Sequence, residues 1–138
     1  MAPERMVRCR RVNKGKGEGE VLLSKDAICF YLCDPETGVV IEEGHALHGK
    51  SVAGKILVVK SGKGSSVVMM DGLYQLKMRN NLPAAIIVDE VEPVLVSSCV
   101  VAGVPVVDRL EENPYTVLKD GDRVIVDADA ETVLIETR

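Results

Sequence analysis

The chain has no tryptophan, one phenylalanine and three tyrosines, so aromatics make up 3% of its 138 residues. Phe30, Tyr31, Tyr74 and Tyr115 are too few to build a base-stacking surface. A formal net charge of -4 and a pI near 5.2 supply no attraction for a phosphate backbone. Nucleic acid is therefore not an expected partner. Long apolar runs are missing too: none approaches the roughly 18 residues that a membrane span needs, and the basic residues 1–11 are not followed by the apolar stretch of a signal peptide. The expectation is a cytoplasmic protein with no membrane partner. Cysteines are few and scattered, and Cys9, Cys29, Cys33 and Cys99 follow no framework. In a reducing compartment they read as small buried apolar residues without disulfides. A single glutamine beside abundant Val, Lys and Glu leans towards a thermophilic source.

What is present is enough for one core. With 138 residues and 46% hydrophobic composition, the chain reads as one domain over residues 1–138. Residues 6–12 read as a strand, and residues 13–19, which carry three glycines and no apolar side chain, as a mobile polar loop. Residues 27–32 read as a buried strand that ends at Asp34-Pro35-Glu36-Thr37-Gly38, where Pro presets a turn and Gly can close it, before residues 39–41 extend again. Residues 56–59 and 85–88 are short, continuously apolar runs, the pattern of strands covered on both faces.

Between those runs, residues 67–78 repeat Met69, Leu73 and Leu76 at helical spacing, with Gly72 beside them permitting close packing. Residues 92–101 predict a second helix, stopped at Gly103 before the extended residues 104–107. In the tail, Val124 and Val126, then Val133 and Ile135, alternate with period two, as in an antiparallel hairpin. A parallel centre of strands and helices flanked by antiparallel pieces predicts an α/β domain of three layers, β/β/α: a small parallel sheet, helices on one side and an antiparallel sheet on the other.

The best candidate for chemistry is Gly62-Lys63-Gly64-Ser65-Ser66, a glycine loop that leaves a strand and delivers two hydroxyls to a helix start. Unpaired N–H groups and the positive end of the helix dipole make such a corner receptive to anions, and the glycines let a ligand approach the main chain. The plainer role for a serine there is an N-cap that contributes about 1 kcal/mol. Gly44-His45-Ala46-Leu47-His48-Gly49-Lys50-Ser51 matches the Walker A pattern, but a β-rich run follows Ser51 where a P-loop needs a helix to hold phosphate. His45 and His48 with Cys29 or Cys33 fit no pair-based zinc spacing, so no metal site is expected on this chain. Ser97-Ser98-Cys99 has no adjacent base and reads as packing.

Asp34-Pro35-Glu36-Thr37-Gly38, His45-Ala46-Leu47-His48-Gly49, Val52-Ala53-Gly54-Lys55, Gly62-Lys63-Gly64-Ser65-Ser66, Leu73-Tyr74, Pro83-Ala84-Ala85-Ile86-Ile87 and Pro105-Val106-Val107-Asp108 occur in one order that resembles a known family. That family is the small subunit of aconitase X, which includes the archaeal phosphomevalonate dehydratase. The resemblance covers most of residues 5–136. It implies a swivelling β/β/α domain like the mobile last domain of aconitase, and a heterodimer whose large subunit carries an iron-sulfur cluster, [4Fe-4S], and most of the substrate pocket.

The resemblance further implies that Ser65 is the base that removes the substrate proton, with Lys63, Gly64 and Ser66 binding a small anionic hydroxy acid. The implied reaction is dehydration of (R)-5-phosphomevalonate to trans-anhydromevalonate 5-phosphate in the archaeal mevalonate pathway. Another aconitase X dehydratase, acting for example on a hydroxyproline, stays open, as do a non-catalytic interaction domain and a nucleotide-binding module. The chain departs from the family in having Val67-Val68-Met69-Met70 after the serines and Ala46 after the first histidine. The arginine that follows the paired serines in aconitase is Val67 here.

Overall fold

The structure, a computed structural model, describes residues 4–136. In chain order its strands and helices are β1 (Glu4–Arg8), β2 (Arg10–Asn13), β3 (Lys16–Leu23), β4 (Ile56–Val59), α1 (Ser66–Met78), β5 (Ala85–Val88), α2 (Pro93–Ala102), β6 (Val106–Asp108), α3 (Pro114–Val117), β7 (Arg123–Asp127) and β8 (Thr132–Glu136). The strands pair in the order β1-β8-β7-β3-β4-β5-β6-β2. β4, β5 and β6 are parallel, with Ile56 opposite Ala85 and Ile86 opposite Val106.

β3 belongs to two sheets. Its residues 16–20 pair antiparallel with β7, and its residues 21–23 pair parallel with β4. The antiparallel sheet can therefore fold over the parallel one, and two buried clusters record the result. On one face of the parallel sheet, Leu57, Val59, Ile86, Val88 and Val106 pack with Met69, Leu73 and Leu76 of α1 and Leu95 and Cys99 of α2. On the other, Ile56, Val58, Ala85, Ile87 and Val107 meet Val7, Val124, Val126, Val133 and Ile135 of the antiparallel sheet. Successive strand side chains point to opposite faces, so a strand covered twice must be apolar at every position. Each such side chain stabilises the fold by roughly 1.5–3 kcal/mol relative to exposure. The predicted β/β/α layering is the observed one.

Three local expectations are corrected. Residues 6–12 are not one strand: β1 pairs with β8 and β2 with β6, and the chain changes sheet at Cys9, whose N–H donates to the Glu131 carbonyl at 3.0 Å. The glycine-rich residues 13–19 are not a mobile loop, since most of them lie in β3. A Cβ at Gly17 would stand 2.1 Å from the Ala84 carbonyl oxygen, and one at Gly19 2.3 Å from that of Gly54. The glycines are there because another backbone crosses them. Residues 27–32 form no regular strand either: Ile28 makes an isolated bridge to Gly62, and Phe30–Leu32 is a 3-10 turn.

The helices begin and end as their residue types dictate. The Glu92 carboxylate accepts from the N–H groups of Val94 and Leu95 at 2.9 and 2.8 Å, Pro93 opens α2, and Gly103 closes it in the left-handed region at φ 81°. No helix among the described residues is long and apolar enough to cross a membrane.

Candidate active site

The end of β4 leads into the loop that holds the paired serines. Two backbone hydrogen bonds fix its start: Ile28 N–H donates to Ser61 at 2.9 Å, and Lys63 N–H to Ile28 at 3.0 Å. Gly62 is buried against Leu95, whose Cβ would be 2.7 Å from a Cβ placed there. Gly64 turns the chain at φ +110°, beside the Cys29 sulfur, 3.2 Å from where a Cβ would stand. Both glycines are thus required by the path into the helix.

Ser65 is the N-cap of α1, with φ −75° and ψ 163°. Its Oγ accepts from Val68 N–H at 3.4 Å, a long bond that takes up little of the hydroxyl's capacity. The first-turn amides of Ser66 and Val67 have no acceptor within the helix, because none precedes them. No acidic residue lies in that first turn. The side chains of Lys63, Ser65 and Ser66 are exposed, as is Gly64. The hydroxyl of Ser65 therefore stands at the surface, in the positive field of a 13-residue helix, with N–H groups beside it. This corner can hold an anion and can favour a serine oxygen as it gains negative charge.

Lys63 is not a free cation. Its Nζ pairs with a Glu42 carboxylate oxygen at 2.5 Å, and the Glu42 side chain is 22% exposed. Sequence reasoning missed Glu42, which lies 21 residues upstream in a stretch without regular structure. A groove of about 490 Å³ runs along the flank of α1, lined by Tyr31, Asp34, Ile41, Asp71 and Gln75 among others. Ser65 is not among its lining residues.

The other motifs take structural places. His45 is buried, and both its ring nitrogens have partners: Nε2 lies 2.9 Å from the Ala27 carbonyl, and Nδ1 accepts from Leu47 N–H at 3.0 Å. Ser51 donates to the Thr37 carbonyl at 2.7 Å and is followed by a turn and β4, so the Walker-like segment opens no helix. Ser98 donates to Val94 within α2, and Cys99 is buried. Burial pushes the thiols of Cys33 and Cys99 up to about 12, and burial with Glu131, Asp108 and Asp127 nearby pushes Cys9 up to about 11. Such thiols are neither nucleophiles nor ready metal ligands. Among the described residues no group of three or more His, Cys, Asp or Glu side chains is placed to hold a metal ion.

Comparison with known proteins agrees with this architecture. The family model described as the aconitase X swivel domain matches residues 6–135. A protein of Methanosarcina mazei named phosphomevalonate dehydratase small subunit is 49% identical over 118 residues, 85% of this chain and 81% of its own. One of the same name from Methanococcoides burtonii is 46% identical over 123 residues, 88% and 89% of the two chains. The crystal structure of Thermococcus kodakaraensis aconitase X in its holo-form superposes with a TM-score of 0.84 at 39% identity, covering 95% of this chain and 98% of that one. By the sheet that β3 divides, the helix that Ser65 caps and these likenesses together, the chain belongs to the aconitase X swivel-domain family.

Proposed function

We propose that this chain is the cytoplasmic small subunit of a heterodimeric hydro-lyase that dehydrates (R)-5-phosphomevalonate to trans-anhydromevalonate 5-phosphate, and that Ser65 is its general base. One observation carries the reading: an exposed hydroxyl at the N-cap of α1, in a chain whose relatives are named phosphomevalonate dehydratase small subunit. The alkoxide of Ser65 takes a proton from the carbon next to the one bearing the hydroxyl. The electron pair of that C–H bond becomes the double bond, and the C–O bond breaks with its electron pair going to the hydroxyl, which departs as hydroxide; that hydroxide and the proton held by Ser65 together account for the water lost. A serine oxygen is far too basic to act in bulk water, and the amides and dipole at the start of α1 offset part of that cost. Gly64 lets the substrate approach the main chain, and Ser66 and Lys63 bind its anionic groups.

Because Ser65 stands on an exposed surface, a second surface has to complete the pocket and exclude water. That surface is assigned to the large subunit, in keeping with the relatives' name, and the large subunit is also where an iron-sulfur cluster would reside. The experiment is co-expression with the large subunit and anaerobic assay with 5-phosphomevalonate. Dehydration should require both chains, and Ser65→Ala should lower kcat by about 10²–10⁴-fold with assembly intact. A Ser65→Ala complex of nearly full activity would leave the serine as a helix cap only. Activity on a hydroxyproline instead of the phosphorylated acid would keep the base and replace the substrate.

A further inference from the structure

His45 closes a circuit of four links around the serine loop. Its Nε2 is 2.9 Å from the Ala27 carbonyl, and the next residue, Ile28, accepts from Lys63 N–H at 3.0 Å. Lys63 Nζ in turn pairs with Glu42, and the Glu42 carbonyl accepts from His45 N–H at 3.3 Å. The circuit thus runs through the imidazole, the 27–28 segment, Lys63 and Glu42, and back to the residue that bears the imidazole. Ser65 is two residues beyond Lys63.

The geometry fixes the ring's tautomer. Leu47 N–H can only donate, so Nδ1 is the acceptor and Nε2 carries the hydrogen that is donated to Ala27. His45 is 6% exposed, where a hydrogen bond counts for more and an unmade one costs more than at the surface. A second clasp lies alongside: Asp26 Oδ2 accepts from Ala46 N–H at 2.9 Å, and the Asp26 carbonyl accepts from Lys60 N–H at 3.4 Å. The residue 42–47 arm, which carries no helix or strand of its own, is therefore held to the 26–28 segment by side chains.

We propose that His45 is a positioning residue of the dehydratase: through Ala27 and Ile28 on one side and Glu42 on the other, it sets where Lys63 lies and hence how the loop presents Ser65. The catalytic half of this inference rests on Ser65 being the base, whereas the structural half does not. Without the imidazole tether the arm keeps only the Asp26 clasp, so Glu42 shifts from its station opposite Lys63 and the Ile28–Lys63 bridge loses part of its support. Displacement of a reacting group by about 1 Å is enough to cost on the order of 10²-fold in rate.

The test compares His45→Gln, whose amide nitrogen reaches the Nε2 position, with His45→Asn, whose oxygen replaces only Nδ1. Hydrogen exchange at the Lys63 amide is read in the full chain. His45→Asn should speed that exchange at least about 10-fold while the amides of β4 and β5 keep their protection, and His45→Gln should stay close to the parent. In the assembled enzyme, kcat/KM should fall about 10–100-fold for His45→Asn and far less for His45→Gln. A merely stabilising histidine would lower the melting temperature of both variants and leave kcat/KM of the folded enzyme alone. Unchanged Lys63 exchange in His45→Asn overturns the proposal. If that variant does not fold, Glu42→Ala takes its place and is read in the same way: faster exchange at the Lys63 amide with β4 and β5 still protected is expected, and unchanged exchange sinks the circuit. An active Ser65→Ala enzyme whose Lys63 amide still responds to His45→Asn would refute the base and keep the tether.

Discussion

Gly72, in the middle of α1, lies on the backbone of Tyr31 so closely that a Cβ added to it would stand 2.2 Å from the Tyr31 nitrogen and 2.4 Å from the Phe30 carbonyl carbon. The helix and the 3-10 turn at Phe30–Leu32 touch main chain to main chain. Two effects of Gly72→Ala oppose each other. Helix propensity alone would stabilise α1 by about 1 kcal/mol. Contact at 2.2 Å with a backbone that cannot swing aside costs more, typically 1–3 kcal/mol and beyond for overpacking. The variant should therefore be less stable in urea denaturation. A neutral or stabilised variant would mean that the turn moves away cheaply.

Asn13 ends β2 and reaches across to the end of α2, donating from Nδ2 to the Val104 carbonyl at 2.7 Å and the Cys99 carbonyl at 3.2 Å. The Cys99 oxygen also receives the N–H groups of Gly103 and Val104, so the loss in Asn13→Ala falls on Val104. That change should cost about 1–3 kcal/mol, the penalty of a buried polar group left without its partner. Asn13→Asp should be worse, because a carboxylate would face two carbonyl oxygens. Denaturant midpoints ordered parent, Ala, Asp would bear this out, and Asp above Ala would contradict the geometry.

Much of this architecture was legible where burial on both faces leaves no choice of residue type. Residues 56–59 and 85–88 read as central strands for that reason, and α1 and α2 read from spacing, caps and Gly103. The hydroxyl of Ser65 was legible because a glycine loop before a helix is a local feature. Illegible were the places where structure is set by approach rather than by side-chain pattern. Gly17 and Gly19 carry no apolar signal, yet they sit in a strand because backbone crosses them. The strand expected at residues 27–32 failed for a related reason, since Phe30 is buried under Gly72 in a turn, not in a ladder. Glu42 and His45 gave no sign of their connection to Lys63, because that link passes through a segment with no periodicity at all.

The thiols of Cys33 and Cys99 offer a pH test. Burial raises both from the ordinary 9.0 to about 12, so the folded chain holds these protons more tightly than the unfolded one. Their contribution to stability is complete below pH 9 and is lost as pH rises through 12. Thermal stability should decline progressively above pH 9 for this reason. At pH 8 the raised values leave far less thiolate, and burial also shields the sulfurs, so iodoacetamide should label these cysteines much more slowly in the folded chain than in urea. Comparable labelling rates in the two states would show that the helical layer opens readily.

Ser65 carries two roles that can be pulled apart. As an N-cap it serves the Val68 N–H, and asparagine serves a helix start as well as serine does. As a base it needs a hydroxyl, which asparagine lacks. Ser65→Ala should remove both, costing at most about 1 kcal/mol of stability, and less in view of the 3.4 Å bond, together with the drop in turnover. Ser65→Asn should restore the melting temperature of the parent while activity of the assembled enzyme stays down by orders of magnitude. Measured side by side, equal melting temperatures with unequal turnover would separate chemistry from capping. Recovery of turnover along with the melting temperature would assign the serine to the helix alone, since no carboxamide can take a proton from carbon.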